Sequence, residues 1–223
     1  LTTIPGSDLL NSILHIVSQS LLLPVIIILL VFMVYIVFEA GGLISEYTSR
    51  VKVDVKEFDT IIKGFSTART FEDINEIIIS SNLPKSHKEI LYEIGFNTSI
   101  GIKSREAFAR KLIENEEVKA AKRIEKTDII AKIGPAIGLM GTLIPIGPGL
   151  AALGTGDIQV LSSHLMIAFD AAVLGMATAA IGFTISKIRR RWYEEQISTL
   201  DSIAESLLEV TEIVKTKTDA LIF

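Results

Sequence analysis

Hydrophobic residues in this 223-residue chain are gathered into three long blocks, and the segments between them are charged and periodic. The first block, residues 21–38, reads LLLPVIIILLVFMVYIVF, eighteen residues without a charge, the lower end of what crosses a hydrocarbon core of about 30 Å. The second occupies residues 129–153 and the third residues 160–186, joined across 154–159 by a hairpin that opens with the turn-forming run Gly154-Thr155-Gly156-Asp157. Each block predicts a transmembrane helix. Pro24 suits the first turn of its helix, where a missing N–H leaves no bond unmade. Residues 12–23 predict an interfacial amphipathic lead-in. No basic n-region precedes the first block and no small-residue cleavage site follows it, which argues against a removed signal peptide.

The segments between the blocks also read as helix. Over residues 39–128 the clearest stretch begins at Arg105, where Phe108, Leu112, Val118, Ile124 and Ile129 punctuate a charged helix that runs into the second span. Asn82-Leu83-Pro84 predicts a break, because the residue before proline avoids helical dihedrals. In residues 187–223, Ile197, Leu200, Ala204, Leu207, Thr211 and Val214 recur at three and four spacing. That stripe fits either a simple amphipathic helix or a coiled seam between subunits.

Charge then orients the spans. Arg50, Lys52 and Lys56 follow the first span, Lys119, Lys122, Arg123, Lys126 and Lys132 lead into the second, and Lys187, Arg189, Arg190 and Arg191 follow the third. All these flanks fall on one side, which the positive-inside rule assigns to the cytoplasm. The expected topology has residues 1–20 and the hairpin outside, with residues 39–128 and the C-terminus in the cytoplasm, in a plasma (inner) membrane. Composition agrees: 49% hydrophobic residues and a mean hydropathy of +0.47 coexist with 22% charged residues, so water-facing segments are substantial.

Most chemistry is excluded. A net charge of -4, with no Lys/Arg tract interleaved with aromatics, speaks against nucleic acid as a partner. The lack of cysteine removes disulfides, thiolate metal sites and Cys catalysis. Residues 134–142 are glycine-rich but carry no phosphate-binding Lys, and His15, His87 and His164 are too scattered for a helix-face metal motif. No enzyme, cofactor or metal is expected. Glu125 and Asp128 among Lys122, Arg123, Lys126 and Lys132 predict a solvated, salt-bridged face.

Two features remain inside the membrane. Gly134, Gly138 and Gly141 in the second span, and Ala171, Gly175, Thr178 and Gly182 in the third, form small-residue stripes that let neighbouring backbones approach closely. Such stripes predict a tightly packed assembly of several helices. Pro145 and Pro148 should free carbonyls in the second span that neighbours must satisfy. Asp170 costs about 2.5 to 3.5 kcal/mol at membrane depth on the translocon scale, so it needs solvation by protein, water or a partner. Counting from the hairpin at 1.5 Å per residue puts Thr142 and Asp170 at nearly one depth, roughly 16 and 14 Å in. A hydroxyl and a carboxyl at one level suggest an ion path; the alternative is a protonated Asp170 acting as structural glue. The expected fold is an all-α membrane protein with three transmembrane helices and long cytoplasmic helical extensions, assembling as a ring.

The run IEKTDIIAKIGPAIGLMGTLIPI, residues 124–146, resembles the charged helix, Pro and Gly-Leu-x-Gly-Thr signature of the MotA/TolQ/ExbB proton-channel family. Residues 168–191, AFDAAVLGMATAAIGFTISKIRRR, are similar to that family's last span, and three spans match TolQ and ExbB. The resemblance implies a pentamer enclosing the transmembrane helices of a small single-span partner of the ExbD, TolR or MotB type, and ion flow that drives work on the cell envelope. Thr142 matches the family's second-span threonine. The third-span threonine falls at Ala172; Thr178 lies further along, and Asp170 is the polar group that could stand in, which would open the path to Na⁺ as well as H⁺. Two other functions compete: a passive membrane scaffold organising partner proteins, and a secondary transporter, disfavoured because three spans without a repeat cannot enclose a midplane site alone.

Overall fold

In a computed structural model that describes residues 7–97 and 101–222, the described chain is helical and without strands. The elements are α1 (Ser7–Ser20), α2 (Leu22–Ser49), α3 (Val55–Thr67), α4 (Phe71–Ser80), α5 (Lys85–Phe96), α6 (Ile102–Gly154) and α7 (Ile158–Ile222). Three stretches are long and apolar enough to cross a membrane: Leu9–Ser49, Ile102–Gly154 and Ile158–Lys217. Only about 20 residues are needed for a crossing. Both α6, with 53 residues, and α7, with 65, therefore continue well outside any bilayer. Residues 1–6 of the expected external segment, 98–100 of the cytoplasmic region and 223 lie outside the described residues.

The chain divides into two compact units: residues 1–45 with 124–188, and residues 46–123 with 189–223. In the first, α1 leads through Leu21 into α2, and Pro24 falls in the first turn of α2. The hairpin between α6 and α7 is closed by local chemistry. Asp157 N–H donates to Ala152 O and Gly156 N–H to Leu153 O, a pairing that requires the positive φ of 78° found at Gly156. Asp157 then caps α7, its side chain accepting from Val160 N–H at 3.0 Å.

The second unit is built around one apolar core. Ile61 and Phe65 of α3, Ile74 and Ile78 of α4, and Leu91 and Ile94 of α5 meet Ala109 and Ile113 of α6 and Leu200, Ile203, Ala204 and Leu207 of α7. Full burial of the Leu, Ile and Phe side chains contributes about 1.5–3 kcal/mol each. The stripe at Leu200, Ala204, Leu207 and Val214 is thus buried in the chain's own core, as a simple amphipathic helix requires. Caps set the short helices. Asp54 caps α3, and Thr70 with Asp73 forms a reciprocal box at α4. The box's two backbone N–H groups, from Arg69 and Thr70, hold the Asp73 carboxyl below its ordinary pKa. The break at Asn82-Leu83-Pro84 is present, with α4 ending at Ser80 and Pro84 in the N-cap position of α5.

One detail corrects the pattern read from Arg105 onward. Val118 and Ile129 are exposed, and the buried stripe of α6 runs through Arg105, Ala109, Ile113 and Ile124. Arg105 is 1% exposed: Nη2 donates to Thr211 Oγ1 at 2.6 Å and to Ile94 O at 3.3 Å, and Glu212 lies 3.6 Å from Nη1. A long basic side chain can line a core when its head reaches acceptors.

Candidate functional site

In the first unit α6 and α7 run antiparallel along a seam of small residues. A Cβ added at Gly175 would lie 2.6 Å from Gly138 Cα and 2.9 Å from Gly134 O, both backbone atoms. One added at Gly141 would lie 2.6 Å from Ala171 Cβ, and one at Gly138 would lie 3.0 Å from Gly175 Cα. The backbones touch where only glycine fits. At Gly182 the neighbours are Ile36 Cδ1 of α2 and Thr127 O of α6, at 3.1 and 3.3 Å.

Helix α2 covers one flank of this pair. Val25 and Leu29 cluster with Ile144 and Ala171, backed by Ile137 and Leu174. Pro135, Pro145 and Pro148 lie inside α6 without ending it, and a proline leaves the carbonyl four residues earlier without its helical partner. For Pro148 that carbonyl is Ile144 O, and Gln19 Nε2 of α1 donates to it at 3.3 Å. A polar contact thereby ties this apolar helix pair to α1.

The three polar candidates do not meet within the chain. Gly141 faces Ala171, so their neighbours Thr142 and Asp170 do share a level. On antiparallel helices, however, a step forward on one and a step back on the other turn about 100° toward opposite flanks of the pair. Ile137 and Ile144 put α2 on the side of α6 away from Thr142, whereas Leu174 puts α2 on the same side of α7 as Asp170. Thr142 therefore lies on the flank that α2 leaves uncovered, beside Ala172, and its Oγ1 donates to Leu139 O at 2.7 Å. Asp170 is exposed on the opposite flank. Two residues along a helix are about 200° around it, so Asp170 and Ala172 lie on different flanks of α7.

Thr178 is fully buried in the seam, where its hydroxyl donates to Leu174 O and Gly175 O of its own helix, at 2.9 and 3.0 Å, beneath Gly134. His164 packs beside Gly149 near the hairpin, with Nδ1 buried and unpartnered among the described residues. At the other end Ser186 donates a short hydrogen bond to Asp128, which also pairs with Lys132 at 3.3 Å. Asp128 thus belongs partly to the seam, not wholly to a solvated face. The serine and the acid are 58 residues apart, and no local spacing announces the pair. No cluster of metal-ligating side chains occurs among the described residues.

Comparison with curated proteins finds no match. A model of the MotA/TolQ/ExbB proton channel family matches residues 86–202, slightly more than half of the chain, spanning α5, α6, the hairpin and most of α7. The match takes in both glycine-lined helices and the hydroxyl-bearing flank between them. The chain belongs to the MotA/TolQ/ExbB proton channel family.

Proposed function

We propose that this chain is the ring-forming subunit of an ion-driven, energy-transducing motor, a pentamer whose α6 and α7 surround the transmembrane helix of a small single-span partner. The observation that carries this reading is the uncovered flank of the α6/α7 pair. Here α2 packs against one side through Val25 and Leu29, and Thr142 and Ala172 lie half-buried on the other. Turned inward in a ring, that flank becomes a lumen with a hydroxyl at mid-depth, able to pass a proton toward an acid on the partner. Protons are the proposed ion, since a lone hydroxyl offers too few oxygens to replace the shell of a sodium ion.

Asp170 takes a different role in this proposal. Its flank lies away from the lumen, and an acid there cannot face lipid at low cost. It hydrogen-bonds a neighbouring subunit, while the glycines at positions 134, 138, 141, 175 and 182 set the close helix packing. The extensions of α6 and α7 and the helices α3 to α5 are assigned to the cytoplasm by the basic residues flanking each span. Mass measurement of the purified protein in mild detergent tests the assembly: five copies are expected, and a persistent monomer or dimer would leave only the scaffold reading.

A further inference from the structure

Two adjoining cavities of about 250 and 120 Å³ lie in the second unit, and both are lined by Arg50, Val51, Pro84, His87 and Gln196. The charge around them is lopsided. Arg50, Lys52, Lys119 and Arg123 line them, against Glu46, Glu116 and Glu195. Each carboxylate is already engaged: Glu46 with Arg189 Nε at 3.0 Å and with the Tyr193 hydroxyl at 2.8 Å, Glu116 with Lys119 at 2.9 Å, and Glu195 with both Arg50 and Arg191, at 2.9 and 3.3 Å. Arg189 and Arg191, from outside the lining, neutralise part of the charge of Glu46 and Glu195, which leaves the lining cations in excess.

Arg50 is the informative member. Its side chain is 8% exposed, held by Glu195 and by the Trp192 ring 5.0 Å beneath the guanidinium, yet its Nε is buried without an acceptor. Leaving such a donor unfilled is costly, and no acid lining the cavities is uncommitted. Beside it His87 is 4% exposed, with Glu116 of α6 near it. Arginine, lysine and imidazole donors converging on a polar cavity are the group set that recognises a phosphate oxyanion.

We propose that the double cavity around Arg50 and His87 is a binding site for a phosphate-class anion, with the guanidinium groups of Arg50 and Arg123 and the ammonium of Lys119 as donors and His87 taking up a proton when the anion enters. Burial holds His87 below its ordinary pKa, and a dianion beside it would reverse that balance. Glu116 acts on the imidazole, and the other charges lining the cavities, Lys52, Glu46 and Glu195, are present with and without the anion. Such a site would couple this unit to the level of free phosphate or of a phosphate-bearing ligand.

Calorimetric titration of the full-length protein in detergent with inorganic phosphate, and separately with dihexanoyl phosphatidic acid below its micellar concentration, tests the proposal. Saturable binding of one anion per chain is expected, weakened about tenfold or more in Arg123→Gln and in Lys119→Gln, two exposed substitutions that leave the core intact. In wild type the His87 ring-proton resonance should titrate at higher pH once phosphate is bound. Preference for inorganic phosphate identifies a soluble source, and preference for the lipid analogue identifies a headgroup. Absence of saturable heat with either probe, or binding unchanged in both variants, overturns the site.

Discussion

Replacing Gly175 by alanine is the sharpest test of the seam, because the added methyl meets backbone that cannot rotate away. The new Cβ would lie 2.6 Å from Gly138 Cα, 2.9 Å from Gly134 O and 3.1 Å from Gly138 N. Ordinary contact begins near 3.4 Å, so α6 and α7 must part by about 0.8 Å over the central turns. Overpacking of this kind costs about 1–3 kcal/mol. Alanine also gains about 0.8–1 kcal/mol of helix propensity, so a control is needed in which only that gain operates. Gly41, inside α2 with nothing within 4 Å of its would-be Cβ, provides it. The comparison of Gly175→Ala with Gly41→Ala isolates the packing cost. In detergent unfolding followed by helix circular dichroism, Gly175→Ala should be less stable than Gly41→Ala by about 1–3 kcal/mol. Equal stability of the two would refute the claim that the backbones are in contact.

Gln19→Leu should cost about 0.5–1.5 kcal/mol in the same assay, and much less in a Pro148→Ala background, where Ile144 O regains a helical partner; equal costs would break the link between proline and glutamine. Stability should fall as pH drops below about 6.5, because burial depresses the folded pKa of His87 and the unfolded chain then binds the extra proton; His87→Gln should flatten that limb of a pH-dependent melting series. Asp170→Asn, which can still hydrogen-bond, should leave the ring intact, whereas Asp170→Leu should shift detergent mass measurements toward smaller species; loss of the ring in both would mean that a charged carboxylate is required.

The spans, the hairpin and the break before α5 were legible because each is local: uninterrupted apolar length, a Gly-Asp turn and a proline. Periodicity placed the α6 stripe near its true position but missed the phase. Large residues such as Val118 and Ile129 dominate a pattern read by size, while the buried face uses Ala109, Ile113 and the stem of Arg105. Counting along the helices put Thr142 and Asp170 at one level, yet their flanks depended on which side α2 covers, and that emerges only from contacts such as Val25 and Leu29 against Ile144 and Ala171. The polar pairs Asp128–Ser186, Arg50–Glu195 and Glu46–Arg189 join positions 58 to 145 residues apart and leave no trace in local spacing.

The central claim, that the uncovered flank of α6 and α7 conducts, is tested most directly by proton flux into liposomes containing the chain and its co-purified single-span partner. Thr142→Val keeps the shape and removes the hydroxyl, and loss of one hydrogen-bonding group from the path should slow partner-dependent flux by about tenfold while the ring still assembles. Full flux through an intact Thr142→Val ring would contradict the account.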